Sequence, residues 1–185
     1  MIYELPVSVD VGGTSYDIRT DYRAVMDIFT ALSANDLSEA EKVYVILNIF
    51  YTDFEKLPRS SYQEALDKCF WFINCGEDEE SGKAQKLMDW EQDFSYIVAP
   101  INRTIGKDVR AVEYMHWWSF MAAFMEIGDC YFAQLVRIRS LKTKGKRLDK
   151  EDQELYRKNK SRVDIKHKYT KEEMDVLKKW TGGKG

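Results

Sequence analysis

The sequence holds no uncharged apolar run of the ~18 residues that a membrane span needs. Its opening, MIYELPVSVDVGG, has no basic stretch followed by a long apolar one, so neither a membrane anchor nor a signal peptide is expected. Histidine is scarce. His116 and His167 are the only two, and neither has an i, i+4 histidine partner or an H-E-x-x-H pattern, which argues against a zinc site. Cysteine is scarce as well. Cys69, Cys75 and Cys130 are odd in number and lack C-x-x-C spacing, so they read as small buried hydrophobes in a reducing compartment. The glycines form no G-x-x-x-x-G-K-[ST] or G-x-G-x-x-G loop, and VGGTSYD is explained by a hairpin turn. The acidic run at 77–80 lacks the ligand alternation and central glycine of a calcium loop. Asp89, Glu91 and Asp93 alternate, but on a helix they point in different directions and build no carboxylate pair. Ser119 lies three residues after His116 without the sharp turn and oxyanion hole of a triad, so His116 is read as structural. With no converging set of polar groups, neither an enzyme nor a bound metal or cofactor is expected.

What the chain does have is apolar surface and segregated charge. At 185 residues, 44% hydrophobic and 14% aromatic, it is too apolar for disorder and long enough for one cored domain. The net charge of −3 is unevenly spread: residues 1–136 hold 11 basic and 23 acidic side chains (−12), and 137–185 hold 17 and 8 (+9). This predicts a hairpin-plus-helical core domain at 1–142 and a basic, charged helical arm at 143–185.

VSVDV and TSYDI around Gly12-Gly13 read as a β-hairpin in which Val9 faces Tyr16 and Val7 faces Ile18. Six or seven helices should follow, packed as a bundle-like domain that is mainly α. Thr20 is a candidate N-cap before a stripe of Tyr22, Val25, Phe29 and Leu32. Ser38 with Glu41 makes a capping box before Val43, Ile46, Leu47 and Phe50, and Ser61 with Glu64 makes another before Leu66, Cys69, Phe70 and Ile73. After a polar linker at 76–83, Trp90, Phe94, Ile97, Val98 and Ile101 keep helical spacing, and Pro100 should kink or shorten that helix. Asp108 is expected to cap a long helix through VEYMHWWSFMAAFMEI, with His116 inside it, ending at Gly128. CYFAQLVRIRSLK and DKEDQELYRKNKSR give two more helices. Thr170 with Glu173 caps a last one carrying Met174, Leu177 and Trp180.

The HWW helix is apolar around most of its circumference, so it should be buried on two sides, one tryptophan inward and the other toward a second layer or a partner. Trp117, Met121 and Phe124 form the candidate docking edge, and Arg137 and Arg139 are candidate partner contacts at the start of the basic region. RIRSLKTKGKR with nearby tyrosines could meet phosphates. The mixed acid and base from Lys150 on, and the lack of any recognised reading motif, argue against nucleic acid.

HWWSFMAAF, with DVRAVEYM before it, resembles the "hxWWKFxALF" block of the bacteriophage gene-product-fifteen family. LPVSVDVGGTSYDIRTDYR is similar to that family's opening, MDWEQDFSYIVAPI loosely matches its "D.E.D...I...F" helix, and LDKEDQELYRKNKSRVDIKHKY resembles its charged end. IGKDVR departs from the "YGIDL" common before the block, and Pro100 interrupts a helix otherwise continuous. The resemblance implies a phage or prophage protein of Gram-positive siphoviruses, encoded among tail genes near the tape-measure gene. The implied role is a tail-assembly chaperone in the host cytoplasm. Its implied partners are the helical tape-measure protein and another tail-assembly protein, with a homo-oligomer left open. The alternatives are a structural tail or connector component of the virion and a nucleic-acid-binding accessory protein.

Overall fold

The computed structural model describes residues 4–77 and 86–166. A short antiparallel hairpin, β1 (Ser8–Val11) and β2 (Thr14–Asp17), pairs Val9 with Tyr16. The expected register holds one step further, since the Ile18 amide donates to the Val7 carbonyl at 3.0 Å. Gly12 and Gly13 both take positive φ, as a two-residue turn between twisted strands requires. Val9 and Val11 bury one face of the ribbon, and the Gly12 amide donates to the Glu64 carboxylate at 3.0 Å. The hairpin is thus fastened at its tip as well as along its face.

Seven α-helices follow among the described residues: α1 (Tyr22–Leu32), α2 (Glu39–Phe50), α3 (Tyr62–Ile73), α4 (Trp90–Ile105), α5 (Trp117–Met125), α6 (Tyr131–Thr143) and α7 (Lys150–Val163). The Ser38–Glu41 capping box forms as expected. Three other expectations need correction. α1 is capped by Asp21 rather than Thr20, because the Asp21 carboxylate accepts the Arg23 amide at 2.9 Å. Ser61 caps nothing with its side chain: it closes a 3₁₀ turn (Arg59–Ser61), and Glu64, its expected box partner, serves Gly12 instead. Pro100, expected to kink or shorten its helix, does not shorten α4, which runs on to Ile105 and stops at Gly106 in the left-handed conformation. The helix expected to follow Thr170, with Met174, Leu177 and Trp180, lies outside the described residues, as does most of the linker at 76–83.

One apolar core joins the hairpin, α1 to α5 and the start of α6. Val25, Ile28, Leu47, Phe50, Phe72, Ile97, Ile101 and Phe120 are essentially inaccessible in it. α1 buries Val25, Ile28 and Ala31, whereas Phe29 and Leu32 stay half-exposed on its flank. Arg19 closes the α2 end: its guanidinium donates to the carbonyls of Asn48, Ile49 and Tyr51 at 2.7–2.8 Å, satisfying oxygens that a helix C-terminus leaves free.

A second, smaller cluster of Leu135, Ile138 and Val163 holds α7 against α6. Charge dominates around it. Arg139 is 5% exposed and forks onto Asp93, itself fully buried, at 2.6 and 2.8 Å. It also donates to the carbonyls of Val163 (2.6 Å), Arg162 (2.7 Å) and Leu87 (3.0 Å). Arg137 pairs with buried Asp152, and Lys142 pairs with Asp164. Residues 150–166 therefore lie back across α6 and the start of α4.

Candidate functional site

The tryptophan block is not the middle of a long helix. Asp108 caps only a 3₁₀ turn (Val109–Ala111), and residues 112–115 are not helical. α5 then begins at Trp117 with His116 as its N-cap. Residues 115–117 pair with the segment just before α1. The Trp117 amide donates to the Thr20 carbonyl at 2.7 Å, the Tyr22 amide to Met115 at 3.0 Å, and Asp21 bridges to His116. Side chains reinforce the seam. Asp21 accepts the Met115 amide at 3.0 Å, Thr20 and Tyr114 share a hydrogen bond at 2.6 Å, and the Arg23 guanidinium donates to the Val112 carbonyl. Segments ninety residues apart thus compete successfully with the helix that periodicity favoured.

Each residue of His-Trp-Trp has one structural task. His116 Nδ1 accepts the Trp118 amide at 3.1 Å, and Nε2 donates to the Pro6 carbonyl at 3.0 Å, which fixes the neutral tautomer. Burial pushes its pKa below the ordinary histidine value, against the opposing pull of the Pro6 bond. Trp117 Nε1 donates to the Ile73 carbonyl and Trp118 Nε1 to the Phe72 carbonyl, both at 2.8 Å. Two adjacent indoles thereby bond two adjacent carbonyls at the end of α3, of which Phe72 also accepts the Cys75 amide at 3.1 Å. Gly76 follows at φ +85°, and a Cβ there would stand 3.1 Å from the Trp118 ring.

Trp117 also corrects the expected outward edge, being 1% exposed. It stacks on Phe120 at 5.5 Å and meets Phe29 and Trp90 edge-on at 6.0 and 5.7 Å. Phe124 is half-buried and packs on Trp90 at 5.2 Å, and Met121 is half-buried at the border of the core. Arg139 is likewise interior, whereas Arg137 is about half exposed in its pair with Asp152. The five candidate residues do not converge on one surface. Arg139 positions α4 through Leu87, and Trp117 and Phe124 brace the inner side of Trp90.

The other side of Trp90 faces a hollow. Between α1 and the start of α4 runs a groove of about 550 Å³, with Met26, Phe29, Leu32, Met88, Trp90 and Phe94 on its walls. Phe29 stacks on Trp90 at 5.6 Å, and Tyr22 stacks on Phe94 at 6.4 Å, so aromatic rings tie the two walls together. Arg23, Asp27, Lys86, Asp89 and Glu91 supply charges of both signs along the groove. Sequence reading assigned Phe29, Trp90 and Phe94 to the core and missed the groove. The available signal was the breadth of the apolar arc in YRAVMDIFTAL, where Met26 and Phe29 exceed what a single buried face needs. Among the described residues, no helix is long and apolar enough to cross a membrane.

The chain matches the family described as Bacteriophage Gp15 protein over residues 1–165 and belongs to that family. No curated protein and no solved structure matches it.

Proposed function

We propose that this phage protein is a tail-assembly chaperone, working in the cytoplasm of the infected bacterium and shielding amphipathic helices of the tape-measure protein before the tail tube encloses them. Membership of the Gp15 family supplies the phage setting. The observation that carries the reading is the α1–α4 groove, largely apolar and lined by two methionines and four aromatic rings. Methionine and aromatic walls adapt to varied apolar side chains, as a site for a repetitive helical client requires. No catalytic role is part of this reading, and a second tail-assembly protein and a further copy of the chain remain candidate partners.

The virion-component alternative predicts the protein in purified particles by mass spectrometry. The nucleic-acid alternative is less well supported, because Arg137, Arg139, Lys142, Lys158 and Arg162 all bond within the protein. The test is co-expression with the adjacent tape-measure protein, affinity capture and native mass. We expect a complex that Met26→Asp abolishes while thermal unfolding of the variant stays close to wild type, since Met26 is only half-buried. A complex indifferent to Met26→Asp, or none at all, refutes the groove as client site.

A further inference from the structure

We infer that copies of this chain associate head to tail, the basic turn between α6 and α7 of one copy seating on the acidic hairpin face of the next.

Folding has sorted the charge. Residues 4–77 carry 13 acidic and 6 basic side chains, a net of −7, and residues 137–166 carry 12 basic and 5 acidic, a net of +7. The hairpin packs on α3, α3 on α2 and α2 on α1, whereas α7 packs on α6 and α6 on α4. α4 stands between the two groups. Its Trp90 and Phe94 meet rings of α1, while Gln92, Asp93 and Tyr96 meet α6 and α7 from a different face.

The basic end has a fixed shape. Gly145 takes φ +64°, and the amides of Gly145 and Lys146 return to the carbonyls of Lys142 and Leu141 at 3.0 and 2.9 Å. That double closure is a Schellman motif, which sets the direction of the turn after α6. The turn presents Lys144, Lys146, Arg147 and Lys150, all exposed and without an ion pair among the described residues. Two carboxylates share this end. Asp149 is turned onto the Asp152 amide at 2.8 Å as the α7 cap, and Glu151 is exposed.

The acidic end is the solvent face of the hairpin. Asp10 and Asp17 stand opposite Ser15 and Ser8, on the face away from buried Val9 and Val11. The Thr52 amide donates to the Asp17 carbonyl at 3.0 Å, which brings the 3₁₀ turn Phe54–Lys56 alongside, and the Gly12 amide holds Glu64 at the tip. Residues 10–17 and 53–64 gather five carboxylates there against Lys56 and Arg59.

Each end is the charge complement of the other, so a second copy satisfies both. A phosphate backbone suits the basic end less well, because Asp149 and Glu151 stand among its cations, and it leaves the acidic end unmatched. The two surfaces differ, so the contact is heterologous and builds a ring or an open chain rather than a two-fold pair. Neither surface includes a wall of the α1–α4 groove, so the inference stands apart from the chaperone reading and can fail separately from it.

Sedimentation velocity of the full chain across a concentration series is the test. Assemblies larger than a monomer are expected at about 20 mM salt and should dissociate at about 300 mM, as the screening length falls from about 20 Å to about 6 Å. Two charge-reversed variants identify the surfaces. One carries Lys144→Glu, Lys146→Glu and Arg147→Glu, and the other Asp10→Lys, Asp17→Lys and Glu55→Lys. All six positions are exposed, so both variants should melt close to wild type. Each alone should assemble at least about tenfold more weakly than wild type. Their equimolar mixture should assemble again, because the native acidic end of the first meets the native basic end of the second. A wild type that stays monomeric at low salt, a salt-insensitive assembly, variants that assemble alone as wild type does, or a mixture that stays monomeric overturns the inference. So does a monomer that binds a DNA duplex through residues 144–147 instead. Should a variant fail to fold, the wild-type salt series decides by itself.

Discussion

Replacing Arg139 with methionine should be among the most damaging single changes in the protein, although the sequence presents Arg139 as one more cation in a basic stretch. Its guanidinium makes five hydrogen bonds, two to Asp93 and three to the carbonyls of Leu87, Arg162 and Val163. Methionine fills much of the volume but leaves a fully buried carboxylate with, among the described residues, the Asp89 amide at 2.9 Å as its remaining hydrogen-bond donor. Breaking one side of such a pair costs about 3–5 kcal/mol. For a chain of this size that is a loss of roughly 10 °C in melting temperature. Arg139→Lys should restore only part, because an ammonium cannot make the fork or reach three carbonyls on two sides. Asp93→Met combined with Arg139→Met should be about 1–2 kcal/mol more stable than Arg139→Met alone, since the stranded charge is gone. Thermal and urea unfolding measure all four proteins, with hydrogen exchange across α7 as the local readout. An Arg139→Met variant melting within about 2 °C of wild type would refute the claim that this pair holds α4, α6 and α7 together.

Trp117→Ala should lose about 3–5 kcal/mol in urea unfolding, because it empties a 1%-exposed site and strands the Ile73 carbonyl; a loss below about 1 kcal/mol would contradict the burial. Asp21→Ala should lose about 2–3 kcal/mol, since the same carboxylate caps α1 and holds the Met115 amide, and Asp21→Ser should recover the cap alone. His116 is held neutral, with its folded pKa below the ordinary 6.5, so the unfolded chain takes up the proton first as pH falls. Its contribution is complete above pH 6.5 and is lost on acidification toward the folded pKa, with a slope of at most about 1.4 kcal/mol per pH unit. His116→Asn, which keeps a capping oxygen, should flatten the melting-temperature profile on the acid side of pH 6.5; an unchanged profile would show that His116 does not titrate on unfolding.

The comparison of expectation with structure turns on distance along the chain. The hairpin register was legible because Gly-Gly fixes a two-residue turn and alternate valines fix the face. The Ser38–Glu41 box was legible because both partners lie within one helical turn. The family resemblance, carried chiefly by the tryptophan block, agrees with the family match over 1–165. The long helix through VEYMHWW was misread because local periodicity competes there with pairing to residues 20–22, which no window on one segment can see. Glu64 was assigned to a cap for the same reason, its actual partner being Gly12 across the fold.

The candidate site was legible only in kind. Methionines and aromatics at helical spacing announced more apolar surface than one helix face requires, but which of them faced inward was settled by packing. Trp117 went to the core because its indole reaches the end of α3. Phe29, Met88 and Trp90 came to line a groove because Phe29 stacks on Trp90 between α1 and α4, while Arg139, forty-six residues beyond Asp93, pins the start of α4 against α6. The sequence by itself determined the class of fold, the hairpin, the positions of most helices and the family, since those rest on turns, caps and periods within a few residues of one another. Tertiary structure alone decided which side chains are surface, because burial of a tryptophan or an arginine depends on carbonyls and carboxylates brought to it from distant parts of the chain.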